Sequence, residues 1–414
     1  MTDEKTPVGS KSLMPVAQAL ALVTADAHVL PAETVGVERA TGRVLAAALH
    51  ARRSQPSADM SAMDGYAFGY PPSSALATSF TVVGEAAAGR PFAGTVTSVG
   101  CVRIFTGAVL PGGTDTVVIQ ENVTRAGDSI HLTAPVARGR NVRTAGFDFQ
   151  VGKLLLPQGR RLSGRDVMLA AAADHAALPV VRRPRVGIIQ TGDELVRPGA
   201  GTGAPSEVVV SNVYGIAALA EEAGAEVLDL GLVADTMDDT RAALRRAFDL
   251  GLDVLVSSGG ASVGEHDLMA PALRAEGIDL SVHKIALRPG KPLMFGVREG
   301  QRVLGLPGNP VSAYVCAILF LLPLLRALQG EHGPWLRASP ARLAVAVPEN
   351  DRRMDFIRAC TEQGEDGIGV VTPLPIQDSG MLTALAQADC LLIREPFAPA
   401  AEAGAPCKVI PLKG

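Results

Sequence analysis

Hydrophobic and polar positions follow two rhythms along this chain. From Arg183 onward, short β-branched runs alternate with longer stretches at helical spacing. Residues 186–190, 226–230, 253–257 and 302–306 read as strands. Residues 212–223, 266–275 and 311–328 read as helices, and Gly224 closes the first of them. Asp235 or Thr236 caps a further helix running to about residue 250. Within it Leu244 and Phe248 share one face, and Arg241 and Arg245 take the other. Strands alternating with helices predict βαβ units and a parallel sheet covered on both faces. Ligands in such sheets bind beyond the carboxyl ends of the strands, so the loops there carry the functional argument.

The first third has a different texture. Residues 80–83, 102–105, 116–119 and 129–132 are short, β-branched and separated by Gly or Pro. They predict a β-rich domain over 51–140. Helical patterns at 14–27 and 162–177 flank it, the second with Ser163 as cap and Asp166 three residues on. The β-rich stretch therefore reads as an insertion in a mixed helical N-terminal domain, 1–50 with 141–182. Residues 183–332 form the doubly wound α/β domain. Residues 333–414 form a small β-rich C-terminal domain, with strands at 341–347, 355–359, 367–371, 390–393 and 408–411 and a short helix at 382–388. The fold class is α/β, multidomain.

Composition narrows the function. Hydrophobic residues make up 47% of the 414, enough for large cores. The net charge of −4 lacks the basic field that duplex binding needs, so nucleic acid is excluded as a partner. The longest apolar run, 313–325, contains Pro323 and is shorter than the ~20 residues of a membrane span, so no membrane partner is expected. The polar start, 1–11, has no secretory pattern. Five widely spaced cysteines and seven scattered histidines point to a reducing cytoplasm, without a disulfide framework or a His-based metal site. Only seven of the 38 basic residues are Lys, which draws attention to where they fall.

Four loops follow the strands. Gln190-Thr-Gly-Asp-Glu-Leu195 offers Asp193 and Glu194, hard oxygen donors suited to Mg²⁺ beside a phosphate; capping charge in a surface turn is the alternative. Residues 257–267 combine Ser258, Gly259, Gly260, Ser262, Gly264 and a terminal Asp267, a pattern for holding an anion with backbone amides. It is neither a Walker loop nor a dinucleotide fingerprint. Residues 283–292 concentrate Lys284, Arg288 and Lys291 in a frame stiffened by Pro289 and Pro292, and read as an oxyanion clamp. Residues 305–312 carry Pro307, Gly308 and Asn309, with Pro310 in the first turn of the apolar helix. In the N-terminal third, Asp64 precedes Gly65 in a tight turn and Thr106 precedes Gly107 at a strand end; plain turn chemistry is the alternative for both.

Together these segments resemble the MoeA-type molybdopterin molybdenumtransferase family, which is related to the E domain of gephyrin. The motifs are S-A-M-D-G-Y-A at 61–67, R-I-F-T-G-A at 103–108, N-V-R-T-A-G-F-D at 141–148, T-G-D-E-L at 191–195, S-G-G-A-S-V-G-E-H-D at 258–267, K-I-A-L-R-P-G-K-P at 284–292 and G-L-P-G-N-P-V-S at 305–312. They occur in family order. The resemblance implies Mg²⁺-dependent insertion of molybdate into adenylylated molybdopterin, with release of AMP. It also implies a homodimer with a cleft shared between subunits, and the molybdopterin adenylyltransferase as a partner. It places catalytic roles at Asp64, Thr106, Asp148, Glu194, Asp235, Asp267, Lys284 and Arg288. Substrate contacts fall at Ser258, Gly259, Gly260, Ser262, Gly264, Pro307, Gly308, Asn309 and Pro310. Molybdate contacts fall at Lys291, Arg358 and Ser379, and Glu194 and Asp267 are the Mg²⁺ positions. Phe147 stands where an acidic residue is frequent, and Asp378-Ser379-Gly380 replaces the usual Gly-Ser-Gly. A non-catalytic molybdopterin-binding scaffold, a one-domain adenylyltransferase and a nicotinamide-nucleotide amidase are the competing readings. The first would need an extra interaction region, the second lacks the Asp64 and C-terminal blocks, and the third would need a different N-terminal half.

Overall fold

Successive side chains on a strand face opposite ways, and the chain uses this to build a sheet buried on both faces. In a computed structural model, which describes residues 13–70, 78–259, 268–334 and 336–412, strands Arg185–Thr191, Glu226–Val233, Val254–Ser258 and Gln301–Leu306 run parallel. The sheet order is Glu226–Val233, Arg185–Thr191, Val254–Ser258, Gln301–Leu306, Pro292–Arg298, Asp279–Lys284. Val186, Ile188, Val256 and Leu304 face a core made with helices Val16–Thr24, Asn212–Glu222 and Pro310–Leu328. Ile189, Leu255 and Val303 face a second core with helices Met237–Asp249 and Met269–Ala275. Each such fully buried Leu, Ile or Val contributes about 1.5–3 kcal/mol.

The sheet departs from the all-parallel expectation in its last two members. Pro292–Arg298 is antiparallel to Gln301–Leu306, and Asp279–Lys284 is antiparallel to Pro292–Arg298. The basic stretch expected as one loop is therefore divided. Lys284 ends the edge strand, and Leu287–Arg288 forms a short strand of a different sheet. An edge strand tolerates charge and Pro because half of its backbone groups need no ladder partner. The helix expected from 266 begins at Met269.

The apolar helix Pro310–Leu328 is long and apolar enough to cross a membrane, but 78% of it is buried inside the protein, as a core helix. Pro323 has no amide for the turn before it, and a π-helical turn, Ala317–Leu321, absorbs the mismatch.

Strands Ser339–Leu343, Met354–Gln363, Gly369–Pro373, Cys390–Arg394 and Pro406–Pro411 close into a small barrel, because Met354–Gln363 pairs with both Gly369–Pro373 and Cys390–Arg394. Leu343, Ala359, Val371, Leu392 and Val409 fill it. The Leu287–Arg288 strand adds to the start of Met354–Gln363, with Arg288 opposite Asp355.

Residues Met1–Glu33 and Val181–Gly414 make one compact unit, and Thr34–Val180 another. The described part of the first segment thus leaves the N-terminal domain to which 1–50 was expected to belong. Val16, Ala19 and Val23 are the reason: they are buried in the α/β core with Leu324 and Leu328.

In the Thr34–Val180 unit, a six-stranded sheet has the order Thr116–Ile119, Gly65–Phe68, Gly100–Ile104, Ser79–Ala86, Ser129–Leu132, Val123–Ala126. Phe68 and Phe80 stack at 4.5 Å across it. The helix Gly164–Ala172 starts at the expected capping box: Ser163 and Asp166 cap each other's amides, and Arg160 pairs with Asp166 at 2.8 Å. It ends earlier than 177, since Asp174 takes φ 73° and Ala177–Val181 is already a strand.

Candidate functional site

All four parallel strands end on one cleft of about 980 Å³. Its wall takes Thr191 and Glu194 after the first strand, Asp235 after the second, Gly259 after the third and Pro307–Pro310 after the fourth. Lys291, Arg288, Arg353 and Ser379 complete it. The fold thus brings together Glu194, Asp235, Gly259, Arg288, Lys291, Pro307, Gly308, Asn309, Pro310 and Ser379 on one cleft. Ser258 lies buried just behind the wall. Gly260, Ser262, Gly264 and Asp267 lie outside the described residues.

Gly259 is where the backbone must be glycine. Its φ is +94°, and a Cβ there would sit 2.9 Å from the Thr191 carbonyl oxygen. The loops are tied together by Asn212, a residue that sequence reasoning passed over as a helix start. Its Nδ2 donates to Ser258 Oγ at 2.8 Å and to the Gly308 carbonyl at 2.8 Å. The Asn309 side chain does not cap its own helix. It donates to Ser379 Oγ at 3.0 Å, while the Val311 amide donates to the Ser379 carbonyl at 3.1 Å. Ser379 therefore belongs to the cleft, and it already occupies one of the helix's leading amides.

The carboxylates crowd. The Asp235 amide donates to Asp193 Oδ1 at 3.0 Å. Partial desolvation at the cleft, and then the charges of Asp193 and Glu194, raise the Asp235 carboxyl above its ordinary pKa. Among the described residues no group of three His, Cys, Asp or Glu side chains is arranged to hold a metal.

The three cations expected to form one oxyanion clamp stand in different surroundings. Arg288 is forked by Asp355, with Nε on Oδ1 at 2.6 Å and Nη2 on Oδ2, and Nη2 also reaches Asn350 Oδ1 at 3.2 Å. These bonds hold its pKa above the ordinary value. Asp355 is 6% exposed, so burial of that carboxylate demands the pairing. Lys284 is not on the cleft; its backbone carbonyl accepts from the Met14 amide at 2.8 Å. Arg353, which sequence reasoning missed, is engaged by Asp351 at 2.9 Å. Lys291 is the cation on this wall without an ion pair among the described residues.

Arg358 is only 2% exposed and lies on a neighbouring cavity of about 330 Å³, which shares Arg288, Pro289 and Gln377 with the cleft. Burial pushes its guanidinium below the ordinary value. Nη2 donates to the Asp378 carbonyl at 3.2 Å, and Nε has no partner among the described residues. A buried guanidinium without a bonded carboxylate attracts an anion. Gln377 was also missed; it brackets Arg358 by accepting from its amide and donating to its carbonyl, both at 2.9 Å.

In the Thr34–Val180 unit the structure joins Asp64 and Thr106. Asp64 Oδ1 accepts from the Thr106 amide at 2.7 Å and from its hydroxyl at 2.8 Å. These bonds, more than the charge of Arg103, hold the carboxyl below its usual range. Asp148 borders a separate cavity of about 500 Å³ with Ser61, Gly107 and the exposed Phe147.

Comparison with known proteins agrees with this geometry. Residues 14–173 match the family described as MoeA N-terminal region (domain I and II), residues 187–327 that described as Probable molybdopterin binding domain, and residues 340–412 that described as MoeA C-terminal region (domain IV). A molybdopterin molybdenumtransferase of Haemophilus influenzae is 34% identical over 372 residues, covering 88% of this chain and 89% of that protein. One of Bacillus subtilis is 31% identical over 402 residues, covering 95% and 91%. A crystal structure of the molybdopterin biosynthesis MoeA protein of Pyrococcus horikoshii OT3 superposes with a TM-score of 0.82 at 27% identity, covering 97% of this chain and 100% of that one.

Proposed function

Since the chain belongs to the MoeA family of molybdopterin molybdenumtransferases, we propose that it inserts molybdate into adenylylated molybdopterin with release of AMP. The observation that carries this reading is one cleft at four strand ends holding Glu194 and Asp235, a Lys291 without an ion pair among the described residues, and glycine-permitted backbone. The substrates are anionic throughout, so the protein's task is to bring like charges together and hold them in register.

The strand-end loops at Gly259 and Pro307–Pro310 receive the pterin and phosphate portion, with Asn212 fixing their spacing. Lys291 neutralises the incoming oxyanion, and Ser379 offers it a hydroxyl. Arg358 supports an oxyanion in the adjoining cavity. Arg288 serves as a wall and field source rather than as a free clamp, because Asp355 already holds it. Lys284 keeps no role at this wall.

Glu194 and Asp235 fit Mg²⁺. They are hard oxygen donors on one cleft; desolvation, and after it the charges of Asp193 and Glu194, raises the Asp235 carboxyl, and a dication offsets both. Two carboxylates suffice for an ion that keeps waters and takes substrate phosphates as its other ligands. When bound, the ion supplies charge neutralisation at the phosphate linkage. Asp267 remains a proposed third contributor. Asp64, Thr106 and Asp148 are proposed to act from the partner subunit of a homodimer, and the molybdopterin adenylyltransferase to supply the substrate. Five free cysteines support a cytoplasmic location.

The test is incubation of the purified protein with adenylylated molybdopterin, Mg²⁺ and molybdate. AMP release that rises with molybdate is expected. AMP that stays at its starting level rejects the reading and favours a binding scaffold.

A further inference from the structure

Asp64 is held at two ends, from different directions. Both donors of Thr106 converge on Oδ1, and Oδ2 takes no bond among the described residues. The Asp64 carbonyl accepts from the Gln120 amide at 3.2 Å. The next carbonyl, that of Gly65, accepts from Arg103 Nη1 at 3.2 Å, and Arg103 Nη2 donates to Gln120 Oε1 at 2.6 Å. The same guanidinium lies 5.1 Å from the Tyr66 ring centroid and 4.8 Å from that of Phe105. Two aromatic contacts and two fixed acceptors leave the planar fork a single orientation.

The strand ladder alone does not do this. Gly65–Phe68 and Gly100–Ile104 pair through Tyr66↔Arg103 and stop at Gly65↔Ile104. Asp64, Phe105 and Thr106 lie just beyond that last pair. The Asp64 carbonyl still accepts from the Gln120 amide and the Phe105 amide donates to the Ala86 carbonyl, but among the described residues no backbone–backbone bond joins Asp64 to Phe105 or Thr106. The guanidinium reaches both sides of the gap. It bonds the residue after Asp64 and stacks on the residue before Thr106.

We infer that Arg103 is a positioning residue: it locks the Asp64 turn to the Phe105–Thr106 turn and so aims the unbonded Oδ2 of Asp64 at the reacting substrate. The inference rests on the reading of Asp64 as a reaction-site group. Arg103 acts through Asp64, and a lysine in its place keeps the charge but loses the fork and most of the stacking.

The experiment compares full-length Arg103→Met, Arg103→Lys and Asp64→Asn in molybdate-dependent AMP release. Arg103→Met is expected to lower kcat about 10–100-fold, the scale of a small misplacement of a reacting group. KM for adenylylated molybdopterin should stay within about threefold, since only the transition-state contact is lost. Arg103→Lys should recover less than half of the loss on a logarithmic scale. In an Asp64→Asn background, Arg103→Met should have little further effect. An inactive Asp64→Asn beside a fully active Arg103→Met overturns the positioning role alone. A fully active Asp64→Asn overturns the underlying reading of Asp64. If Arg103→Met does not fold, Phe105→Leu removes one stacking face and leaves the guanidinium; a fall in kcat of about 3–10-fold supports the role, and an unchanged kcat overturns it.

Discussion

Asn212 Nδ2 lies 2.8 Å from Ser258 Oγ, and the same nitrogen donates to the Gly308 carbonyl, so one amide sets the distance between two substrate loops. Ser258 is 2% exposed, and its hydroxyl's other neighbour, the Pro307 carbonyl, is 3.5 Å away. Asn212→Ala leaves these polar groups short of a partner, at a cost of about 1–3 kcal/mol. Urea unfolding should show that loss, and substrate affinity should fall about tenfold or more if the loops drift apart, since tenfold corresponds to ~1.4 kcal/mol. Wild-type stability and affinity in the variant would rule out the bridging role.

Asp235 predicts a stability change of unusual sign. Its folded pKa is raised, so the native state holds its proton more tightly than the unfolded chain does. The carboxylate therefore costs stability once pH passes the ordinary carboxylate range, and the cost disappears as pH falls below it. Asp235→Asn should raise the melting temperature at pH 7 and match wild type at pH 3. Mg²⁺ should raise the wild-type melting temperature more than that of the variant. Equal Mg²⁺ shifts in both would exclude Asp235 from the ion's ligands.

Glu276 behaves in the opposite way. Bonds from Arg245 and then Arg241 hold its carboxyl down to about 2, from an ordinary 4.5. A depressed folded pKa gives stability that is complete above about 4.5 and is lost as pH falls toward 2. Glu276→Gln should be less stable than wild type at pH 7, and the difference should close over that acid window. A pH-independent difference would assign the effect to packing of helices Met237–Asp249 and Met269–Ala275 instead.

Lys291→Ala should separate the two substrates. The side chain is on the cleft without an ion pair among the described residues, so its charge is available to an incoming oxyanion. The molybdate concentration for half-maximal AMP release should rise by about tenfold or more, the worth of one lost charge-assisted bond of ~1.5–3 kcal/mol. Binding of adenylylated molybdopterin, measured by calorimetry, should change far less. An unchanged molybdate dependence removes Lys291 from the oxyanion site.

Much of this was legible in the chain, and the remainder has identifiable physical reasons. The four parallel strands show because β-branched runs between Gly and Pro leave a local pattern that burial on both faces requires. The capping box at Ser163 and Asp166 shows because it spans three residues. The pairs that reassign the site are distant in sequence. Asp355 is 67 residues from Arg288, and Asn212 is 46 from Ser258 and 96 from Gly308. No spacing rule reaches that far. The stretch 283–292 misled because its charges and prolines resemble a loop, whereas its two halves are edge strands of different sheets.

Gly290 offers the sharpest steric test of the cleft. It lies between Pro289 and Lys291 on the cleft wall with φ +101°, and a Cβ added there would meet Cys316 Sγ at 2.6 Å. Two costs follow for Gly290→Ala: backbone strain of about 1–3 kcal/mol and overpacking against the core helix, again about 1–3 kcal/mol. Cys316 is buried, and burial pushes its thiol up to about 12, so it is neutral at working pH and Cys316→Ala changes volume rather than charge. In the double variant Gly290→Ala with Cys316→Ala, the new methyl occupies space vacated by the sulfur, while the strained φ remains. A double-mutant cycle read by urea unfolding should therefore show a favourable coupling of about 1–3 kcal/mol, and the double variant should recover part of the affinity lost in Gly290→Ala. Strictly additive stabilities would mean that backbone strain alone makes glycine necessary there, and that the close approach to Cys316 carries no energy.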